Sequence, residues 1–445
     1  YGRICACAIM RAKAWCTVTW ILHFLVGSVA VFIGLHRTAL RQHAFKAAWA
    51  SIAVALLVVF SLHAERAIAQ NSAVPPIWDF RCFWVYGRVA DVTHEPYNPH
   101  AMHTIGDALP YDRGFSREVL DVGMVYPPPS VALFAPLGLF ETPKRALPFW
   151  YAILIGALLL DTMLLWRIFL RDAGIAGLLA AAVLVAVFPG TLEVIRAAQS
   201  VFVALAFVLL YLDARKPLRQ GAFLALAVIV KPFVLVTLLY PLLRRDWRTL
   251  LSAVVTSLVL TAAVVPLIGW HSIASFITDS PEQRLPSTIL TAYSNQSILG
   301  WVERVTQQQD SISAALHNPL YLVAVVLLLA ATVALVAKFG EHERAYCIAL
   351  LISLSLLIYP HDQFFYTPML LIPIAFVWSR RSVLLGGAVT AWAFTFVEFA
   401  LSNPFNMQMF AALASWIMLA CLPPLQRLPS RVIASEAERV QLMIP

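Results

Sequence analysis

A few residues able to do chemistry stand apart from one another in this largely apolar chain of 445 residues. Asp79 follows Trp78 and precedes an aromatic run, and a carboxylate in such a place could act as a general base. Its alternative role is a helix N-cap, because an Asp oxygen accepts free backbone N–H groups. The spacing of Phe80, Phe83 and Trp84 predicts a helix with one aromatic face. We expect this face at the membrane surface, because aromatic rings favour the headgroup level.

Three ionisable residues fall inside or near apolar runs. Lys231, with Pro232, interrupts the apolar stretch 220–243 far from the basic residues at either end. Lysines near helix ends often extend to the membrane surface, whereas a lysine buried in the membrane needs a partner or an anionic ligand. Both interpretations stay open, and a lipid phosphate would serve as the ligand. Asp161 and Glu398 are also candidate functional residues, because acidic residues are rare within membrane spans. Asp161 should lie towards the cytoplasmic half of the membrane, away from the other polar groups.

Other polar residues fall in loops that we place on the same side of the membrane as Asp79. Each residue alone could be a loop residue or a helix cap. These residues matter together because they lie on one side of the membrane, where they could surround one substrate. The three groups are Glu193, Arg196 and Gln199; Asn295 and Gln296; and His361, Asp362 and Gln363.

Several common catalytic signatures are absent from the sequence. It contains no GxxxxGKS or GxxxxGKT phosphate-binding loop, no HExxH zinc motif and no GxSxG nucleophile motif. No Asp-x-Asp occurs, so the usual metal ligand of soluble nucleotide-sugar transferases is missing, and no Cys/His spacing fits a metal site. We therefore expect neither a metal nor a cofactor.

Composition defines the class of protein that must position these residues. Hydrophobic residues make up 60% of the chain and charged residues 13%, against about 45–50% apolar and about 25% charged in soluble domains. These values exclude an ordinary soluble enzyme and a disordered chain. We predict an all-α, polytopic membrane protein with about 11–13 transmembrane or re-entrant helices, because each span needs ~20 apolar residues.

The cations predict which loops face the cytoplasm. Despite a net charge of +8, they form short clusters between apolar runs rather than one stripe. This is the positive-inside pattern, and it argues against nucleic-acid binding. Because both flanks of 220–243 are basic, this stretch should enter the membrane and return to the same side, with Lys231 at its tip. The clusters are Arg37, Arg41 and Lys46; Arg215, Lys216 and Arg219; Arg244, Arg245 and Arg248; and Arg380 and Arg381.

Four regions follow from this predicted topology. Residues 1–69 hold the N-terminal spans, and residues 70–147 form a large external segment with helices at the membrane surface. Residues 148–422 form the transmembrane core, and residues 423–445 form a cytoplasmic tail. We expect the first apolar run, 15–35, to be a retained span, because no convincing signal cleavage site follows it.

Six short motifs, in order over roughly residues 78–365, resemble glycosyltransferase family 87. This family consists of bacterial integral-membrane enzymes of the GT-C class and includes polyprenol-phosphate-mannose-dependent mannosyltransferases. The motifs are Trp78-Asp79-Phe80 with Phe83-Trp84 and Gly87-Arg88; Pro96-Tyr97; Tyr126-Pro127-Pro128 with Ala135-Pro136-Leu137; Ala198-Gln199; Lys231-Pro232 ahead of Arg244-Arg245-Asp246-Trp247-Arg248; and Asn295-Gln296-Ser297.

The chain also departs from the family pattern. Phe83, Tyr86 and Ala198 stand where the family usually has Tyr, Ala and Gly. Residues 359–362 are only loosely similar to a late segment of the family, which leaves the roles of His361 and Asp362 open. The span 15–35 looks additional to the core that the resemblance covers.

The resemblance implies a GT-C-type fold with a large external catalytic loop, in the bacterial inner membrane and with the active site on the periplasmic face. It implies a hexosyltransferase that moves a sugar, most often mannose, from a polyprenyl-phosphate donor to a lipid or glycan acceptor. The reaction would invert the anomeric centre, with Asp79 as base. Lys231, Arg196 and Arg88 would bind the donor phosphate. The expected substrate-binding residues are Trp84, Tyr97, Tyr126, Gln199, Asn295, Gln296, His361 and Asp362.

A transporter or flippase of a lipid-linked sugar is the alternative function. Transporters often have two related halves and ionisable residues near the membrane midplane. This sequence shows no two-half symmetry, and its polar groups gather on one side beside a large external segment. We therefore favour the enzyme, whose partners would be the lipid-linked donor, the acceptor and the surrounding membrane lipids.

Overall fold

A computed structural model shows that the protein is built from helices. The structure describes residues 39–73, 78–109, 117–279, 284–285, 287–292, 295–307, 312–340, 343–379 and 407–421. Within these ranges every regular element is helical, apart from one isolated bridge between Asn295 and Gln363. The all-α prediction is therefore confirmed. The predicted spans 15–35 and 383–401 and the tail 423–445 lie outside the described residues.

The α-helices are numbered here along the described part of the chain. Short 3₁₀ or π segments interrupt or join them at Pro128–Ser130, Trp166–Leu170, Arg171–Ala173, Pro232–Leu238 and Phe364–Leu370. The α-helices are α1 (Ala39–Ala73), α2 (Trp78–Val92), α3 (Pro99–Gly106), α4 (Arg117–Val122), α5 (Val131–Gly138), α6 (Pro143–Leu165), α7 (Gly174–Val187), α8 (Pro189–Ala197), α9 (Val201–Asp213), α10 (Pro217–Val230), α11 (Leu239–Leu243), α12 (Trp247–Thr278), α13 (Ser287–Thr291), α14 (Ile298–Thr306), α15 (Ile312–Ala315), α16 (Pro319–Phe339), α17 (Arg344–Ile358), α18 (Leu371–Ser379) and α19 (Met407–Cys421).

Three helical segments are long and apolar enough to cross a membrane. They are Pro143–Val187, Trp247–Thr278 and Pro319–Phe339. Large apolar side chains such as Leu251 and Leu327 are exposed on them, which suits contact with lipid rather than water. Shorter apolar helices, among them α9, α10 and α17, pack in the same core. The prediction of a polytopic membrane protein is confirmed.

The first long segment folds back on itself. α6 begins after Thr142, whose side chain accepts the backbone N–H of Arg145, and the chain turns where Gly174 takes a φ of 59°. The Tyr151 hydroxyl, near the start of α6, donates to the carbonyl of Ile195 at 2.9 Å. Because Ile195 comes shortly after the end of α7, that end must lie beside the start of α6. Helices α6 and α7 therefore form an antiparallel hairpin, as two separate predicted spans require.

The interrupted stretch also returns to the side where it began. α10 ends because Pro232 lacks an N–H and disfavours helical geometry in the residue before it, and Lys231 is extended, with φ −144° and ψ 102°. The chain then continues through a 3₁₀ segment and α11 to α12. The Ser252 hydroxyl, near the start of α12, donates to the carbonyl of Leu218, near the start of α10, at 2.6 Å. The predicted return, with Lys231 at the far end, is confirmed.

Helix α2 corrects two expectations. It begins at Trp78, so Asp79 lies inside its first turn rather than at the N-cap. Its aromatic face packs inside the protein rather than at a membrane surface, because Phe83 stacks on Phe134 with ring centroids 4.7 Å apart. Helix α2 touches α5, which contains Phe134, backbone to backbone, since a Cβ added to Gly87 would lie 2.1 Å from the Phe134 carbonyl oxygen. A pattern in one helix shows which face is apolar but not which element covers it.

Candidate active site

Lys231 is the centre of a buried polar cluster. Its side chain is 1% exposed, and its Nζ donates to the Tyr126 hydroxyl and to Oε1 of Gln199, both at 2.7 Å. The ring centroid of Tyr366 lies 4.7 Å from Nζ, close enough for a cation–π contact. Both hydrogen-bond acceptors are neutral. The ammonium is therefore held in place by groups that do not neutralise its charge.

Gln199 reaches this cluster from a tight turn. α8 ends at Ala197, and Ala198 adopts the left-handed conformation with φ 49° and ψ 43°. Glycine is the usual residue at such a helix C-terminus, which agrees with the glycine that the family pattern has there. The Trp150 indole N–H donates to the Ala198 carbonyl at 2.6 Å and fixes the turn. Gln199 is buried as a result and faces Lys231.

Tyr126 is held by two distant parts of the chain. The Tyr126 carbonyl accepts a hydrogen bond from the Tyr97 hydroxyl at 2.9 Å, and the Tyr126 hydroxyl accepts one from the Lys231 ammonium. The proline-rich segment that follows is tied to the end of α10, because the Ser130 hydroxyl donates to the Ile229 carbonyl at 2.6 Å. Two predicted substrate residues, Tyr97 and Tyr126, therefore lie next to each other, and the hydrogen bond from Tyr97 holds the Tyr126 backbone in position.

Asp79 faces the same cluster from the first turn of α2 and is partly exposed. The Gln199 side chain donates a hydrogen bond to its carboxylate, so one amide links Asp79 to Lys231. Burial raises the pKa of Asp79, while the Gln199 hydrogen bond and the positive charge of Lys231 oppose the rise. The carboxylate is thus a stronger base than an ordinary aspartate, and it stays accessible to a substrate.

A turn after α17 completes the site. The Gln296 backbone N–H donates to the Asp362 carbonyl at 2.6 Å, and the Asn295 amide donates to the Pro360 carbonyl at 3.0 Å. Asn295 therefore holds the turn in place. Burial, together with the charge of Lys231, lowers the pKa of His361 to about 4, so its imidazole is neutral at physiological pH. Asn295, Gln296, His361 and Asp362, predicted from separate loops, are brought together.

Three predicted site residues have other partners. Arg88 lies nine residues after Asp79, about 13.5 Å along α2, where it binds Asp91 at 3.2 Å and the Gly138 carbonyl at 3.1 Å. The Trp84 indole donates to the Phe140 carbonyl at 3.1 Å. Arg196 forms an ion pair with Glu193 at 2.6 Å. The structure does not place these side chains around Lys231, and their substrate contacts stay predictions.

Tyr366 is the site residue that the sequence did not reveal. Besides lying over Lys231, its ring stacks on Phe233, which follows Pro232, with centroids 4.8 Å apart. Phe365 also lies near the ammonium, at 6.0 Å from ring centroid to Nζ. The available signal was the aromatic run Phe364-Phe365-Tyr366, directly after the polar turn.

Fold and site together describe a polytopic membrane protein in which a partly exposed carboxylate and a buried ammonium are linked through one amide. The model of glycosyltransferase family 87 matches residues 124–360, more than half of the chain. The chain belongs to glycosyltransferase family 87. The matched residues include Tyr126, Gln199 and Lys231, whereas Asp79 precedes them and His361 follows them.

Two curated relatives are similar over a shorter region. Both are named "Alpha-(1->3)-arabinofuranosyltransferase", from Mycobacterium tuberculosis strains CDC 1551 / Oshkosh and ATCC 25618 / H37Rv. Each is 31% identical to this chain over 193 residues. The similar region covers 41% of this chain and 42% of each relative. No solved structure matches the chain.

Proposed function

We propose that this protein transfers a glycosyl unit from a polyprenyl-phosphate donor to a hydroxyl group of a lipid or glycan acceptor, with Asp79 as the general base. The observation that carries the proposal is the position of the Gln199 amide. Its oxygen accepts a hydrogen bond from the Lys231 ammonium at 2.7 Å, and its NH₂ group donates one to the Asp79 carboxylate. A base and a cation are thereby fixed on either side of one side chain. Glycosyl transfer from a phosphate needs both, one for the acceptor proton and one for the leaving group.

The reaction would proceed in one displacement. The acceptor oxygen bonds to the anomeric carbon while its proton passes to the Asp79 carboxylate. The bond between the anomeric carbon and the phosphate oxygen breaks, and its electron pair leaves with polyprenyl phosphate. Lys231 stabilises the negative charge that grows on this phosphate as the sugar becomes oxocarbenium-like. Attack from the face opposite the phosphate inverts the anomeric centre.

The turn after α17 offers contacts for sugar hydroxyls. Neutral His361 can donate through one ring nitrogen and accept through the other. Asp362 is 3% exposed, and its Oδ1 has no hydrogen-bond partner among the described residues. A buried carboxylate oxygen without a donor is costly, so a substrate hydroxyl that fills this position would bind favourably. We assign His361 and Asp362 to sugar binding on this basis.

The donor sugar has two candidates. The family resemblance favours mannose, whereas the relatives are named for transfer of arabinofuranose. Lys231 suits a monophosphate attached to a lipid, because it lies among apolar and aromatic side chains that would also accept the first isoprene units. A monophosphate does not require a metal ion for its departure when an ammonium is already in place.

Detergent-purified protein incubated with defined donors tests the proposal. Decaprenyl-phosphate mannose and decaprenyl-phosphate arabinofuranose would each be supplied with mannosyl and arabinosyl oligosaccharides, and released polyprenyl phosphate measured by mass spectrometry. We expect release with one donor, dependent on an acceptor. Movement of intact donor across liposome membranes without any release would instead support the transporter.

The active site should lie on the external face of the bacterial inner membrane. The loops at 213–219 and 244–248 carry six Arg or Lys residues, whereas the turns at 190–198 and 360–365 carry one, and this bias sets orientation. Single cysteines probed with an impermeant thiol reagent in intact cells, after replacement of the native cysteines, test this. Thr104→Cys in α3 should react and Arg215→Cys should not. The reverse result would place Asp79 in the cytoplasm and contradict an external donor.

A further inference from the structure

A polar cleft of about 150 Å³ lies outside the catalytic cluster. It opens between the loop that follows α2 and the last turns of α12. Its walls come from parts of the chain that are far apart in sequence, so neither part would form it alone. The side chains that concern its chemistry are Glu95, Tyr97, Asn98, His271, Ser275 and Arg284.

Hydrogen bonds hold the two walls together without a ligand. The Ser272 hydroxyl donates to the His94 carbonyl at 2.8 Å, and the His94 ring lies 2.6 Å from the Leu267 carbonyl oxygen. Arg284 donates to the Tyr97 carbonyl at 3.2 Å and pairs with Asp279. The cleft is therefore preformed, which favours binding because little conformational entropy remains to be lost.

The side chains in the cleft suit a neutral ligand with many hydroxyl groups. Glu95 accepts the Asn98 amide at 2.6 Å through one oxygen, and His271 and Ser275 add groups that both donate and accept. Arg284 is already paired with Asp279, so Glu95 leaves the cleft with one negative charge, which disfavours an anionic ligand. A volume of about 150 Å³ equals that of about five water molecules at ~30 Å³ each, which suits one sugar ring.

Tyr97 joins this cleft to the catalytic cluster. Tyr97 forms part of the cleft wall, and its hydroxyl donates to the Tyr126 carbonyl at 2.9 Å. The Tyr126 hydroxyl in turn accepts Lys231 at 2.7 Å. Two tyrosines in series therefore separate the cleft from the ammonium. This distance is too great for the reacting hydroxyl, but it fits a sugar further along an acceptor chain.

We propose that this cleft is an acceptor subsite that binds one neutral sugar residue of a glycan acceptor, beyond the residue that receives the transferred sugar. The assignment rests on the proposed function, since it presumes an acceptor made of several sugars. It adds that the acceptor is an oligosaccharide, free or lipid-linked, rather than a simple alcohol. An acceptor long enough to fill the cleft gains hydrogen bonds that a shorter one cannot make.

Filling the cleft with a large side chain tests the subsite. Ser275→Trp would block it, and Ala274→Trp places the same side chain on the exposed neighbouring position outside it. The probes are di- and tetrasaccharides of α-mannose and of α-arabinofuranose. In the unmodified enzyme and in Ala274→Trp, we expect KM about tenfold lower for the tetrasaccharide, as a few hydrogen bonds provide. Ser275→Trp should lose this difference while keeping kcat and the donor KM.

Two results would overturn the subsite. One is an equal KM for both lengths in the unmodified enzyme, and the other is an unchanged length preference in Ser275→Trp. If no donor gives turnover, the proposed function fails, and saturation-transfer NMR with the same tetrasaccharides tests the cleft by itself. Binding that Ser275→Trp abolishes and Ala274→Trp retains supports the subsite in that case. Absence of tetrasaccharide binding to the unmodified protein contradicts it.

Discussion

Two buried ionisable side chains of this protein lie in contrasting surroundings. Lys231 is 1% exposed at a break between helices, and its ammonium has two hydrogen bonds and an aromatic ring around it. Asp161 is 0% exposed within uninterrupted α6, and neither of its carboxylate oxygens has a hydrogen-bond partner among the described residues. Burial of an ionisable group is common to both, so burial alone does not distinguish a functional residue.

The helix break makes the difference. Pro232 ends α10 and turns Lys231 towards residues from three other parts of the chain, whereas the regular backbone of α6 directs Asp161 among apolar neighbours. Asp161 also lies far from the cluster. It follows Trp150, which contacts the Ala198 carbonyl beside the site, by eleven residues, or about 16 Å along the helix. The backbone break therefore distinguishes the buried ionisable group around which other polar groups converge from the one that lies alone.

The largest effect should come from Asp79→Asn. The amide keeps the size of the side chain but cannot accept the acceptor proton, so kcat should fall about 100- to 10,000-fold. Asp91→Asn is the matched control, because Asp91 lies near the opposite end of the same helix, where it pairs with Arg88. Both variants should retain the thermal midpoint of the unmodified protein. Near-normal transfer by Asp79→Asn would exclude the base and leave a purely structural role.

Lys231→Met should have the next largest effect. It keeps the length of the side chain and removes the charge, so kcat/KM for the donor should fall about 100-fold, as for the loss of one group that stabilises a developing anion. KM for the acceptor should change little. Lys338→Met is the control, since Lys338 is exposed near the end of α16. A donor kcat/KM equal to that of the control would show that the buried ammonium does not bind the phosphate.

Gln199→Leu should shift the pH dependence rather than abolish activity. Asp79 acts as a base only when ionised, so kcat should rise with pH through its pKa, which lies above the ordinary value of 3.8. Loss of the hydrogen bond from Gln199 removes a contact that favours the carboxylate, and the rise should move to higher pH. Gln220→Leu is the control, because Gln220 binds the Ala214 carbonyl near the start of α10. An unchanged profile would contradict the link between Gln199 and Asp79.

Features set by local chemistry could be predicted from the sequence. The break at Lys231 follows from Pro232, and the return of the stretch follows from the basic residues at both ends. The left-handed turn at Ala198 stands where the family pattern has glycine, so that motif marked a backbone geometry that the structure confirms. Asp79 was recognised by its place before an aromatic run.

Features that depend on contacts between distant segments could not be predicted. The periodicity of α2 identified an apolar face, but nothing local indicated that Phe134 would cover it instead of lipid headgroups. Tyr366 lies far from Lys231 in sequence, and no spacing rule joins them. Arg88 was assigned to the donor phosphate through its place in a family motif, whereas the structure pairs it with Asp91, one turn away on the same helix.

The smallest effect, and the one that sharpens the contrast between the two charges, should come from Asp161→Leu. A buried polar group without a hydrogen-bond partner costs about 1–3 kcal/mol of stability, so an apolar side chain at this position should raise the thermal midpoint in detergent. Transfer activity should stay within about twofold, because the residue is far from the site by the helix rise. Asp213→Leu, which removes an ion pair with Arg167 at 3.1 Å, should give no such gain. A lowered midpoint or lost activity in Asp161→Leu would show that Asp161 has a partner or a function. The contrast with Lys231 would then fail.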